Sequence, residues 1–379
     1  MDIKELISQG ENSGVEFKQS DVRPESVAKE IVAFLNAIGG NILIGVNDDG
    51  NISGIDKSSR NWEEWVMNIC RDHVNPPVSD VKVLFHKLEE QTILNIQVPK
   101  GTNKPYQDNK NQFYIRVGST NRVASQLELL RLFQNAGAFH YDATSVLSSG
   151  FIDLDINKLY RYFQLFELNF QEEEHKTNLL KNVDIMDAEG QLTIAGTLVF
   201  AIHPQKYLHN ASITFARFDG NEVTDEVVDK KVFEGTLDNQ IDQCLASIRA
   251  NLMYASKIVG AKTEDTSGNY PDKVFRELLV NACVHRDYSI TGSRIRVFMF
   301  HDRLEVRSPG RLPNSVDVEK IKYGVSYARN PILVKFMENL RYIDKMGRGV
   351  PMVVKAAQQL GRTLVLEEVG EEFVVKLGF

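Results

Sequence analysis

Three kinds of feature are scarce in this chain, and each scarcity removes a class of protein. Its 379 residues hold only three cysteines, Cys70, Cys244 and Cys283, far apart and odd in number. That count argues against a disulfide framework or a zinc site and fits a reducing cytoplasm, the expected localisation. No apolar run approaches the roughly 18 residues that a membrane-spanning helix requires. The chain enters an amphipathic pattern directly at Met1-Asp-Ile-Lys-Glu-Leu, so no secretory signal is expected. Positive charge is also short: the formal net charge is −7, which excludes a basic coat of the kind that grips nucleic acid everywhere. There is no Gly-x-x-x-x-Gly-Lys-Ser/Thr loop, so a P-loop motor helicase is rejected. The eight histidines lack metal-ligand spacing; only His285, beside a polar helix face, is a candidate supporting group.

What is present is an α+β pattern too long for one core, so two or three domains are expected. Residues 1–135 alternate helical and strand periods. Val27, Ile31, Phe34 and Leu35 recur at helical spacing, Gly39-Gly40 ends that helix, and strands are expected over 41–46, 81–88, 91–98 and 112–117. Asn47-Asp48-Asp49-Gly50 is a turn, with a second short strand expected through Ile52. Residues 136–205 read as short helical segments around a hairpin-like turn, a small connector of winged-helix type. Residues 206–379 supply strands near 211–218 and 225–232, a long helix over 238–259, a polar loop over 261–269 and a closing strand pair.

Charge is locally reversed in one place. Residues 1–135 hold 15 Lys/Arg against 18 Asp/Glu, so the N-terminal part as a whole is not basic. Residues 101–135, however, carry Lys104, Lys110, Arg116, Arg122 and Arg131 against Asp108 and Glu128, interleaved with Tyr106, Phe113 and Tyr114. Cations among aromatics suit backbone phosphates and exposed bases. The same pattern also describes a half-buried strand with a solvated face, and both readings stay open.

The densest chemistry lies in Phe275-Arg-Glu277-Leu-Leu-Val-Asn281-Ala-Cys-Val-His285-Arg286-Asp-Tyr. Glu277 and Asn281 stand one helical turn apart and leave the same face. An amide oxygen there can ligate Mg²⁺ and a carboxylate can orient a water toward a γ-phosphate, although two solvated polar residues would look the same. Downstream come Pro309-Gly310-Arg-Leu-Pro, Arg329-Asn-Pro and Met346-Gly347-Arg348-Gly349-Val-Pro, whose bare backbone at a helix start can approach phosphates. Together these strings resemble a divergent branch of the GHKL (histidine-kinase-like, Bergerat) ATP-binding fold over residues 206–379. The resemblance implies an ATPase-type module of α/β sandwich form. In it Glu277 is the water-orienting base, Asn281 the Mg²⁺ ligand, Gly310, Gly347 and Gly349 the shapers of the nucleotide site, and Arg286 and Arg348 phosphate contacts. The aspartate with which such sites hold adenine is missing from Ser308-Pro309-Gly310-Arg311-Leu312, so adenine selectivity and turnover do not follow from it.

The N-terminal strings are Glu11-Asn-Ser-Gly-Val-Glu16-Phe-Lys18, Ile44-Gly-Val-Asn-Asp48-Asp-Gly and Tyr114-Ile-Arg116-Val-Gly-Ser-Thr-Asn-Arg122. They resemble the Schlafen, AlbA-type domain over residues 1–135, which implies contact with DNA or RNA through Lys18, Lys104, Lys110, Arg116 and Arg122. Relatives of this architecture are often labelled helicases. Some Schlafen proteins cleave RNA with two glutamates and an aspartate holding a divalent ion such as Mg²⁺ or Mn²⁺. By that resemblance Glu11, Glu16 and Asp48, with Asp49 as the other candidate for the aspartate, are both catalytic and metal-binding, with Lys18 steadying the phosphate. The expectation is therefore a nucleic-acid-binding regulator whose grip or assembly responds to ATP·Mg²⁺, with a homo-oligomer implied by the GHKL likeness. A metal-dependent nuclease, for instance in anti-phage defence, and a non-catalytic scaffold are the alternatives.

Overall fold

The computed structural model describes residues 3–88, 90–258, 270–313, 316–325, 327–344 and 348–379. The expected loop over 261–269 and the site residue Gly347 lie outside the described residues. The chain forms two compact units, 1–139 and 140–379. Both mix helices and sheets, so the class is α+β. Among the described residues no helix is long and apolar enough to cross a membrane.

Unit 1 is built on a four-stranded sheet. Strand β1 (Val15–Lys18) pairs parallel with β2 (Gly40–Ile44), joined by helix α1 (Pro24–Asn36). Pro24 opens α1, where its missing N–H costs nothing. After helix α2 (Trp62–Asp72), strands β3 (Lys82–Leu88) and β4 (Gln91–Val98) form an antiparallel hairpin, giving the order β1-β2-β4-β3. Ile31, Phe34, Ile42 and Leu94 are fully buried between sheet and helices. A separate ribbon pairs β5 (Tyr114–Val117) with β6 (Thr120–Val123) and leads into helix α3 (Gln126–Asn135). The short strand expected through Ile52 is a single bridge between Val46 and Ile52, because Gly45 turns the chain at a φ of 95° just before it.

Unit 2 is organised by a six-stranded sheet. Its strands are β7 (Ile213–Phe218), β8 (Val227–Phe233), β9 (Ile295–Met299), β10 (Arg303–Pro309), β11 (Leu364–Val369) and β12 (Glu372–Gly378), in the order β8-β7-β9-β10-β12-β11. Only β7 and β9 run parallel. Helices α4 (Leu237–Ile258) and α5 (Asp272–Val284) lie between them in sequence, as a parallel pairing requires a long crossover. Helices α6 (Pro331–Asn339) and α7 (Gly349–Gln359) follow β10. Residues 140–205, read above as part of a connector, share one continuous core with the rest of the unit. Leu159, Phe163, Leu198 and Phe200 pack into the same cluster as Ile213, Leu279 and Phe336. Phe200 meets Phe336 edge-on at 5.1 Å and Tyr162 at 4.9 Å.

Truncating Phe200, which is fully buried, leaves a cavity at that junction. Phe200→Ala is expected to lower unfolding stability by roughly 3–5 kcal/mol. Hydrogen exchange is the check: protection should fall together in residues 194–200 and 331–339, whereas loss confined to 194–200 would mean that the two segments open independently.

Candidate functional site

A cavity of about 230 Å³ in unit 2 is walled by α5 on one side and by β10, β12 and the start of α7 on others. Glu277 and Asn281 both line it, as their spacing on one helix face demands. The Asn281 side-chain amide donates to the Glu277 carboxylate at 2.7 Å and to the Glu277 carbonyl at 2.8 Å. No partner is recorded for the Asn281 Oδ1 among the described residues, so it is a hard oxygen donor at the cavity wall. Burial pushes the Glu277 carboxyl above its ordinary pKa, against the stabilising Asn281 hydrogen bond. A proton-accepting carboxylate with raised affinity is the type of group that can orient and activate a water. His285 also lines the cavity, and burial, with Arg329 nearby, lowers its pKa to about 4, so the ring is neutral at pH 7.

Two glycines make this geometry possible. A Cβ at Gly349 would collide with the Glu277 carboxylate, so a larger residue there would push that side chain out of its present position. Arg348 provides no side-chain cap for α7. The first-turn N–H groups of a helix have no intrahelical partner and carry its partial positive charge. Gly310 has a φ of 114° and its Cβ position is filled by Arg329 and Asp287, so the loop after β10 turns only with glycine. Its N–H donates to the Glu371 carbonyl at 2.7 Å, fixing the loop to the β11–β12 turn. Val306, Leu366, Phe373 and Val375 give the sheet side of the wall an apolar surface.

The expected arginine contacts are corrected by their partners. Arg286 does not line the cavity. Its guanidinium is buried and donates to the carbonyls of Asn210 at 2.8 Å, Ser293 at 2.8 Å and Ile290 at 3.3 Å, while stacking 4.9 Å over Tyr288. These bonds close a loop away from the cavity wall, while its Nε is buried without a partner. Arg348 is not on the wall either, and pairs with Asp344 at 2.9 Å. The cations that do line the cavity, Arg311 and Arg329, hold the Gly370 carbonyl and the His285 and Arg311 carbonyls respectively. Glu277, Glu338 and Asp344 leave the wall with more carboxylates than free cations.

In unit 1 the expected carboxylate trio is not assembled. Among the described residues no three His, Cys, Asp or Glu side chains are gathered to hold a metal ion. Glu11 accepts the Phe17 N–H at 2.9 Å, Asp48 lies in the exposed turn, and Glu16 is buried in an ion cluster. Arg116, its side chain 1% exposed, donates to Glu16 at 2.5 Å and to the carbonyls of Asn12 and Val15 at 2.6 and 2.8 Å. Lys18 bonds Glu16 and lies 3.5 Å from Glu30, which also accepts from Asn121. Burial and the neighbouring Glu16 charge raise the Glu30 pKa to about 6.

Glu30 was not singled out from the sequence. Its signal was there: positions 27, 30, 31 and 34 share one helix face, and a carboxylate among Val, Ile and Phe needs a buried partner. The five expected nucleic-acid contacts do not form one surface. Arg116 and Lys104 are buried, the latter bonded to the Ala37 carbonyl. Lys18 is largely covered, Arg122 is held by Glu128 at 2.7 and 2.8 Å, and Lys110 is exposed.

With this geometry in hand, comparison with known proteins is specific for two stretches. Residues 11–125 match the family model "Schlafen, AlbA_2". Residues 292–377 match "Putative ATP-dependent DNA helicase recG C-terminal", a match that begins after α5 and so does not include Glu277 or Asn281. The chain is similar to the DIP2311 protein of Corynebacterium diphtheriae, at 24% identity over 97% of this chain, with a TM-score of 0.48. It spans 65% of that protein's solved chain. It is also similar to the N-terminal domain of a RecG-related protein of Nitrosomonas europaea, at 22% identity over 32% of this chain and 94% of that domain, with a TM-score of 0.25. No curated protein matches the chain.

The Glu30 carboxyl is expected to titrate near pH 6 in the folded protein, read from its ¹³C shift and absent in Glu30→Gln. Because its folded pKa lies above the unfolded value, the stability it contributes is full below about pH 4.5 and is lost as pH rises through 6. A midpoint at or below 4.5 would mean that the cluster does not press on this carboxyl.

Proposed function

We propose that this chain is a nucleic-acid-binding regulator whose grip or self-assembly responds to ATP·Mg²⁺ held in the unit 2 cavity. The observation that carries the reading is the Glu277–Asn281 pair, set on the cavity wall against the glycine-opened start of α7. The donor set fits the cofactor. Asn281 Oδ1 is an oxygen ligand suited to Mg²⁺. The N-terminal turn of α7 at Gly349 and Val350 is an anion site. The apolar wall at Val306, Leu366 and Val375 suits a base ring. When bound, ATP·Mg²⁺ supplies a γ-phosphoryl group open to attack by water.

Each residue then has a separate task. Glu277 holds the Asn281 amide in place and, with its raised proton affinity, orients and accepts a proton from a water. Asn281 anchors the metal. Gly349 keeps α7 close enough for its N–H groups to meet phosphate charge. Among the described residues the cations on the wall are Arg311 and Arg329, both engaged with backbone carbonyls, so the metal and the helix terminus add to the neutralisation and binding should depend on Mg²⁺. The match of residues 11–125 to an AlbA_2 model and the name borne by the model for 292–377 support nucleic acid as the partner. Unit 1 makes the contact in this reading, and a homo-oligomer is the assembled form.

Titration calorimetry of the full chain with ATP and Mg²⁺ tests it. Micromolar binding is expected, weakened at least tenfold in Asn281→Ala and by chelation of Mg²⁺. Glu277→Gln should keep binding but lose any hydrolysis. Absence of binding, or equal affinity in Asn281→Ala, removes the nucleotide claim. Sedimentation with and without ATP·Mg²⁺ reads the assembly state.

A further inference from the structure

One face of the unit 2 sheet carries the helices and the core; the opposite face carries a different chemistry. Strand alternation and register place Phe218 from β7, Phe298 from β9 with the following Phe300, Arg296 from β9, and Arg303 and Arg307 from β10 on that opposite face. Phe218 and Phe300 stack with centroids 5.0 Å apart, and Phe298 meets Phe218 edge-on at 5.5 Å. The rings are almost completely covered, and guanidinium groups lie over them. Arg303 is 4.1 Å above Phe300, and Arg307 and Arg296 are 5.4 and 5.8 Å from the Phe298 centroid.

Two features of this face exceed what solvation of a sheet needs. Arg296 and Arg307 stand directly opposite each other on neighbouring strands, a like-charge pairing that destabilises a sheet. Glu372 and Glu305 offset it, the latter bound by Arg303 at 2.7 Å and Arg307 at 2.6 Å. With Lys230 and Lys376, the face presents five cations to the four carboxylates Glu305, Glu367, Glu372 and Asp302, the last bound by Arg303 at 2.8 Å, in a chain whose net charge is −7. The three arginines remain 37%, 23% and 25% exposed, so each keeps part of its side chain in solvent.

We infer that this face is a platform for single-stranded nucleic acid, with bases stacking on the arginine planes and phosphates meeting the excess cations. Planar cations already seated on aromatic rings offer a second flat surface at little entropic cost, and every base has a π-face to lay on it. The inference goes beyond the proposed function, since it puts nucleic acid on the unit that also holds the nucleotide cavity.

The test uses the full chain and a fluorescein-labelled 20-nucleotide poly-U and poly-dT strand. Anisotropy should show binding that weakens at least fivefold in Arg296→Gln/Arg307→Gln, with the salt slope reduced by about 1.4 for two lost cations. Photocrosslinking of wild-type protein with 4-thiouridine strands, which needs no variant to fold, should label residues 295–307. Labels confined to residues 1–139, with affinity and slope unchanged in the variant, overturn this inference and leave the proposed function standing. Labels confined to 295–307 support it and remove unit 1 as the contact. Absence of binding to both strands overturns this inference; the proposed function then stands or falls on binding of a 20-base-pair duplex in the same assay.

Discussion

A guanidinium taken out of water must find its partners inside the protein, and that constraint shapes both units. Arg116, Arg286 and Arg329 are buried, and each is surrounded by backbone carbonyls or carboxylates that hydrogen-bond its fork. Leaving such a group buried without partners costs several kcal/mol, so the elements that supply the partners are held in place with it. Arg116 ties the ribbon at 114–123 to β1 and α1 in unit 1. Arg286 ties the segment after α5 to the loop before β7. Arg329 joins the ends of α5 and β10 where the cavity opens.

The same constraint explains what the sequence did and did not disclose. Periodicity placed α1, α5 and most strands within a few residues, because burial of Val27, Ile31 and Phe34, or of Val274, Leu278 and Leu279, writes itself into spacing. It also set Glu277 and Asn281 on one face, which the cavity confirms as geometry. What a charged side chain does with its hydrogen bonds is not periodic. Arg286 is adjacent to the cavity residue His285 in sequence but turned into a loop of carbonyls. Glu16 and Lys18 read as a strand surface or a metal site, and are instead half of an ion cluster completed about 100 residues away by Arg116. The strand at 120–123 was missed because four residues after a Gly-Ser turn carry too little pattern.

In unit 2 the nucleotide reading rests on a balance that is unusual for a polyanion site. The cavity wall has carboxylates beside arginines engaged with carbonyls, so under the proposed reading backbone N–H groups and a metal at Asn281 supply much of the attraction for phosphate. Such a site is weak without its metal and discriminates through it. The absence of an aspartate in the 308–312 loop leaves the base to apolar contact, where shape matters more than hydrogen-bond pattern.

The single parallel pairing in the unit 2 sheet has a further consequence. Strands β7 and β9 can register only after the chain has closed a loop of about 75 residues, and α5 lies within that loop. Contacts of such sequence separation form late, since their closure entropy precedes any reward. The cavity wall is therefore held together by contacts between segments far apart in sequence, and its shape depends on the whole sheet being closed.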